Sequence, residues 1–145
     1  MYFKAFYAQR NLSVCTFDMT GCGKSDGQYI SLGVHEKDDL SAVIEHLKSL
    51  GYRRFGLWGR SMGGATTLLY LSQLKLAQPP IDCAVCDSSF SSLEEVIEHL
   101  AEEMGVPPCL LGYAKWRIDR YLKAHHKFSL YQLDIRKSLI DSESY

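Results

Sequence analysis

Apolar and polar positions change period along this chain in a regular order. Residues 12–18 (LSVCTFD) are a short apolar run closed by a turn-rich stretch over 20–27, the pattern of a buried strand. Leu40, Val43, Ile44, Leu47 and Leu50 then recur at helical spacing, with Glu36, Lys37, Asp38, Glu45 and Lys48 mostly opposite. Residues 34–50 therefore predict an amphipathic helix, which Gly51 ends. Residues 53–58 (RRFGLW) predict a second strand and 62–76 a helix that Pro79 and Pro80 stop. A third strand is expected over 81–87. Ser91 and Ser92 each have a glutamate three residues later, Glu94 and Glu95, the capping pattern for a helix through Leu93, Val96, Ile97, Leu100 and Met104. Gly105, Pro107 and Pro108 close that helix. Residues 110–127, rich in aromatic and basic side chains, predict another, and 128–145 carry too little periodicity to assign.

Strand, helix, strand, helix, strand, helix with short connections implies an α/β fold: a parallel sheet flanked on both faces by helices, in one domain over residues 1–145. The functional loops of such sheets lie at the carboxyl ends of the strands. That rule selects the 18–27 loop, the 59–63 turn and the 87–91 loop as one edge of the molecule.

The composition narrows the partners. A net charge of −1 gives no electrostatic reason to expect nucleic acid or an anionic membrane. No apolar run reaches the roughly 18 residues of a spanning helix, and residues 1–7 lack the order of a signal peptide. Cys83 and Cys86 stand three apart in the third predicted strand, so they face opposite ways and read as two buried thiols rather than a redox or zinc pair. A cytoplasmic, reducing setting is the expectation.

The chemistry concentrates at Gly59-Arg60-Ser61-Met62-Gly63, a G-x-S-x-G pattern between a predicted strand and a predicted helix. So sharp a turn holds the serine in a strained backbone conformation and projects its Oγ from the sheet edge. Residues two before and two after it approach closely, which calls for glycine at 59 and 63. The N-terminus of the following helix directs its positive end at the serine, and the Met62 N–H is available to an oxyanion. A competing pattern, Gly21-Cys22-Gly23-Lys24-Ser25, suggests a phosphate-binding loop. There the first glycine of that motif is replaced by Asp18, whose carboxylate would repel phosphate, and Asp26-Gly27 breaks the helix that should begin at Lys24. The better role is a glycine-rich wall, with Asp18 and Ser25 hydrogen-bonding the turn around Gly21 and Gly23.

Three stretches in order, FDMTGCGKSDG over 17–27, LWGRSMGG over 57–64 and CDSSFSS over 86–92, resemble the α/β-hydrolase superfamily, nearest to its serine aminopeptidase-like and acyl-thioesterase-like group. The resemblance runs from about residue 2 to residue 105, with a weaker echo at Asp134-Ile135, the approach to a further strand. It implies a partial α/β-hydrolase fold, starting after the third strand of that fold and stopping before its seventh. It also implies a serine hydrolase of ester, thioester or peptide-like acyl bonds, with Ser61 as nucleophile and Met62 N–H as oxyanion donor. No metal or other cofactor is implied, and the expected partner is a small acyl substrate.

A serine hydrolase also needs a histidine, an acid and a second oxyanion donor. The resemblance places the acid and histidine on strands beyond this sequence. Asp87 is the local candidate for the acid. His35, His46 and His99 read as solvated helix faces, and His125-His126 lie in a basic helix with no strand after it. The segment 113–121 admits two readings, a lid that contacts lipid without inserting, or an amphipathic helix packed on the sheet with snorkelling cations. The packed helix is the simpler. Besides catalysis, a non-catalytic α/β module or truncated remnant and a nucleotide-binding protein remain as alternatives, and the oligomeric state is not legible.

Overall fold

The computed structural model of the protein describes residues 7, 9–74 and 81–142. Helix α1 (Glu36–Ser49) precedes strand β1 (Phe55–Arg60), helix α2 (Met62–Leu71) and strand β2 (Ile81–Asp87). The strands pair in parallel as a two-stranded sheet, with Leu57 opposite Ala84, Trp58 opposite Val85 and Arg60 opposite Asp87. Helices α3 (Leu93–Glu103) and α4 (Pro108–His126) follow, then a 3-10 turn (Leu130–Gln132) and α5 (Ile135–Ser142). The fold is α/β, a parallel sheet flanked by helices.

The sequence of α2 explains how it lies so close to the sheet. Its first turns, Gly64, Ala65, Thr66 and Thr67, are small and buried, and Leu69 and Tyr70 complete its inner face. The two threonine hydroxyls are satisfied within the helix, Thr66 donating to the Met62 carbonyl at 2.9 Å and Thr67 to Gly63 at 2.8 Å. Leu40 and Ile44 of α1 meet Phe55 and Tyr70 in one core, while Ala65 and Leu69 meet Leu133 and Ile135 in a second. Each fully buried Ile or Leu side chain contributes roughly 1.5–3 kcal/mol. Ser92 caps α3 as expected, its hydroxyl accepting from the Glu95 N–H at 3.1 Å; Ser91 instead donates to the Glu95 carboxylate.

Five expectations are corrected. Residues 12–18 take no regular secondary structure and belong to no ladder, because among the described residues β1 pairs with β2 alone and a strand needs a bonded partner. Only one sheet face is covered among the described residues: α2 takes the face of Phe55 and Gly59, leaving Trp58 56% and Val85 55% exposed. Cys83 lies exposed on that open face rather than buried, while Cys86 is half-buried on the other and burial pushes its thiol pKa up. Glu36, expected on the polar side of α1, is 1% exposed. Asp134-Ile135 does not lead into a strand. The Asp134 carboxylate accepts the Lys137 N–H at 3.0 Å and Ile135 opens α5. The last part of the helix predicted over 62–76 falls partly at 75 and 76, outside the described residues.

Candidate active site

Strand gives way to helix across a single residue. β1 ends at Arg60, α2 starts at Met62, and Ser61 between them sits at φ +50° and ψ −117°. That conformation costs a non-glycine residue about 1–3 kcal/mol, so the surroundings must impose it. The Ser61 N–H donates to the Asp87 carbonyl at 2.8 Å, tying the elbow to β2, and the Ser61 carbonyl accepts from Ala65 N–H at 3.0 Å. The side chain makes no capping hydrogen bond and the residue is exposed, so the hydroxyl is not committed to holding the helix. Ser61→Gly is expected to raise stability by about 1 kcal/mol in urea unfolding. An unchanged or lower midpoint would mean that the chain does not hold this residue at positive φ.

The steric demand falls on one of the two glycines. A Cβ at Gly59 would lie 2.1 Å from the Gly63 carbonyl oxygen, whereas a Cβ at Gly63 would meet nothing within 4 Å. The expected need for glycine at both places is corrected accordingly: the backbone of residue 63 approaches residue 59, but its own missing side chain faces open space. The Met62 N–H lies in the first turn, outside the ladder of the helix. No acidic residue stands in that turn to compete with an incoming oxyanion.

Asp87 is brought to the elbow, but its carboxylate faces a cation. Arg60 Nε lies 3.6 Å from Oδ2, and the Ser88 hydroxyl donates to Oδ1 at 2.8 Å. The pair is largely exposed, so its contribution to stability is about 0–1 kcal/mol at most. No histidine reaches either residue among the described contacts. His35 lies edge-on to Phe128, His99 pairs with Glu103, His125 stacks on Tyr121, and His126 packs against Tyr29 with its Nδ1 buried and unpartnered.

The 18–27 loop closes on itself. Asp18 Oδ2 accepts from Lys24 N–H at 2.9 Å, and the Ser25 hydroxyl donates to the Asp18 carbonyl at 2.6 Å. Gly23, at φ +55°, packs so tightly on the Asp18 carboxyl that a Cβ would come within 2.2 Å of it; one at Gly21 would lie 2.5 Å from the Tyr29 carbonyl. The loop is anchored to α1, with the N–H and hydroxyl of Thr20 donating to Asp39 at 2.7 and 2.9 Å. Among the described residues none of its hydrogen bonds runs to Ser61. Where a phosphate cradle would present free N–H groups, this loop has given one to its own carboxylate. A cavity of about 320 Å³ lies behind it, lined by Thr20, Tyr29, His35, Glu36 and Lys127 rather than by Ser61.

Sequence reasoning misses the group that positions this region. Glu36 accepts from Ser31 N–H at 2.6 Å, the Ser31 hydroxyl at 2.5 Å and Gly33 N–H at 2.7 Å. Burial would raise its pKa, but these donors outweigh it and hold the carboxyl below its ordinary 4.5. The lock fixes Gly33 against the first turns of α2, where a Cβ would sit 3.3 Å from Thr66 N. A glutamate three residues after a glycine and five after a serine, at a helix start, is the signal that was available.

The alpha/beta hydrolase fold family matches residues 5–106. The chain is 32% identical over 98 residues to the uncharacterized membrane protein YNL320W of Saccharomyces cerevisiae, covering 66% of this chain and 33% of that protein. It is 33% identical over 89 residues to the uncharacterized protein YqkD of Bacillus subtilis, covering 60% and 28%. Against the uncharacterized protein YfhR of Escherichia coli O157:H7 the identity is 31% over 99 residues, covering 67% and 34%. The chain thus spans about a third of the length of these relatives. No solved structure matches.

Proposed function

The chain belongs to the alpha/beta hydrolase fold family, and from that premise we propose that it carries the nucleophile of a serine hydrolase acting on ester, thioester or peptide-like acyl bonds. Membership supports hydrolase chemistry in general. The narrower reading rests on one observation, the exposed Ser61 held at φ +50° with its hydroxyl uncommitted. In this reading Ser61 Oγ bonds to the acyl carbon, its proton passes to a general base, and the negative charge on the acyl oxygen is met by the Met62 N–H and the N-terminal end of α2. Collapse of the intermediate expels the alcohol, thiol or amine, and water then releases the acid. The base and its orienting acid are assigned to residues outside those described; Asp87, the local candidate for the acid, is engaged by Arg60 and Ser88. The substrate is a small acyl compound. Five free thiols support a reducing compartment, the cytoplasm being the simplest.

A second reading, a non-catalytic α/β module, is favoured by the absence of any histidine bonded to Ser61 among the described residues. Labelling by a fluorophosphonate probe separates the two. Activity through Ser61 predicts labelling of the purified chain that disappears in Ser61→Ala. Labelling that persists in that variant would remove Ser61 from the mechanism, and folded protein that never labels would favour the module.

A further inference from the structure

We propose that the outward face of α4 docks on an anionic lipid bilayer. At helical spacing Tyr113, Trp116, Arg117 and Arg120 share one side of this 19-residue helix, flanked by Leu110 and Tyr121. All six are exposed, Tyr113 by 63% and Trp116 by 48%. From 110 to 121 the face runs along about 18 Å of the helix, and no helix among the described residues is long and apolar enough to cross a membrane.

The charge on this face is uncompensated. The single carboxylate of α4, Asp119, is 8% exposed and turned inward, accepting from the Ser129 hydroxyl at 2.6 Å and Leu130 N–H at 3.1 Å. Of the carboxylates on the neighbouring α3, Glu94 and Glu98 are met by Lys115, at 2.7 Å and 2.8 Å. Arg117 and Arg120 pair with no carboxylate among the described residues. The Arg120 guanidinium lies 5.2 Å from the Trp116 ring centroid, and the Tyr113 and Trp116 rings are 5.8 Å apart. A water-facing helix mixes both signs of charge. Aromatic rings interleaved with unpaired arginines suit the headgroup layer, where rings settle among the acyl ends and guanidinium groups meet phosphate and carboxylate. The whole chain's charge of −1 hides this local excess.

Cosedimentation of the chain with vesicles tests the proposal. Binding is expected to vesicles of phosphatidylcholine with a quarter phosphatidylserine, to weaken with salt, and to be slight with phosphatidylcholine alone. Each cation near an anionic surface strengthens partitioning about fivefold, so Arg117→Gln with Arg120→Gln is expected to weaken it about thirtyfold. In a Trp58→Phe background Trp116 is the remaining one of two tryptophans, and its emission is expected to shift to the blue on binding. Ser61→Ala should pellet like the parent, which separates this result from the catalytic reading. The substituted side chains face solvent, so circular dichroism is expected to match the parent. Binding indifferent to lipid charge and to both arginines would overturn the proposal. So would folded chain that ignores both vesicles, or a dimer that Tyr113→Ala with Trp116→Ala converts to monomer.

Discussion

Gly59→Ala is expected to lower stability by about 3–5 kcal/mol, while Gly63→Ala in the same motif raises it by roughly 0.5–1 kcal/mol. The first substitution drives a methyl group into the Gly63 carbonyl, 2.1 Å from its oxygen and 2.3 Å from its carbon. Those are backbone atoms, fixed by the first turn of α2, and no rotamer moves them aside. Relief requires β1 and α2 to separate. That would break the Ser61 N–H bond to Asp87 and open the packing of Ala65 and Thr66, both 0% exposed. The second substitution adds a methyl in a helix where nothing lies within 4 Å and removes the entropy cost of a helical glycine. Denaturant midpoints of the two variants decide the matter. If both lose stability alike, the close approach is not the reason for glycine at 59.

Glu36→Gln is expected to cost about 2–4 kcal/mol at pH 7, since an amide offers one acceptor oxygen where the carboxylate serves three donors and sets an NH₂ against one of them. The loss has a pH signature. The folded carboxyl titrates below its ordinary 4.5, so its stabilising contribution is complete above that value. It is lost as pH falls through the lower, folded value. Glutamine does not titrate. The gap between parent and variant should therefore be flat from pH 7 to about pH 5 and shrink in more acid solution. A gap independent of pH down to acid unfolding would mean that Glu36 is not held ionised.

The order of elements from β1 onward is legible because each has a distinct period: Leu40 and Ile44 mark a helix face, and FGLWGR followed by SMGG marks a strand that must turn. The place of Ser61 between strand and helix, and its nearness to Asp87, follow from two parallel strands ending at one edge. What the sequence hides is tertiary. The run at 12–18 has the apolar character of a strand, but whether it pairs depends on a neighbour, and among the described residues β1 offers β2 alone. Glu36 is assigned outward by its charge, although three donors from its own chain make an inward carboxylate cheaper than a solvated one. Alternation in β2 predicts two faces, not that one of them stays uncovered around Val85. A general base is illegible for a simpler reason: of five histidines, the ring contacts of His35, His99, His125 and His126 lie elsewhere.

The parallel pairing of β1 with β2 on either side of α2 in the chain has a consequence for the order of assembly. Phe55 meets Ile81 and Arg60 meets Asp87 across one short crossover, so this part of the molecule closes a small loop and has little chain entropy to overcome. During synthesis it is free to form once Asp87 has left the ribosome, before α3, α4 and α5 exist. The strained serine is then expected to form early in folding, between its own two strands. The later helices are then expected to be laid onto a strand-to-helix turn already set.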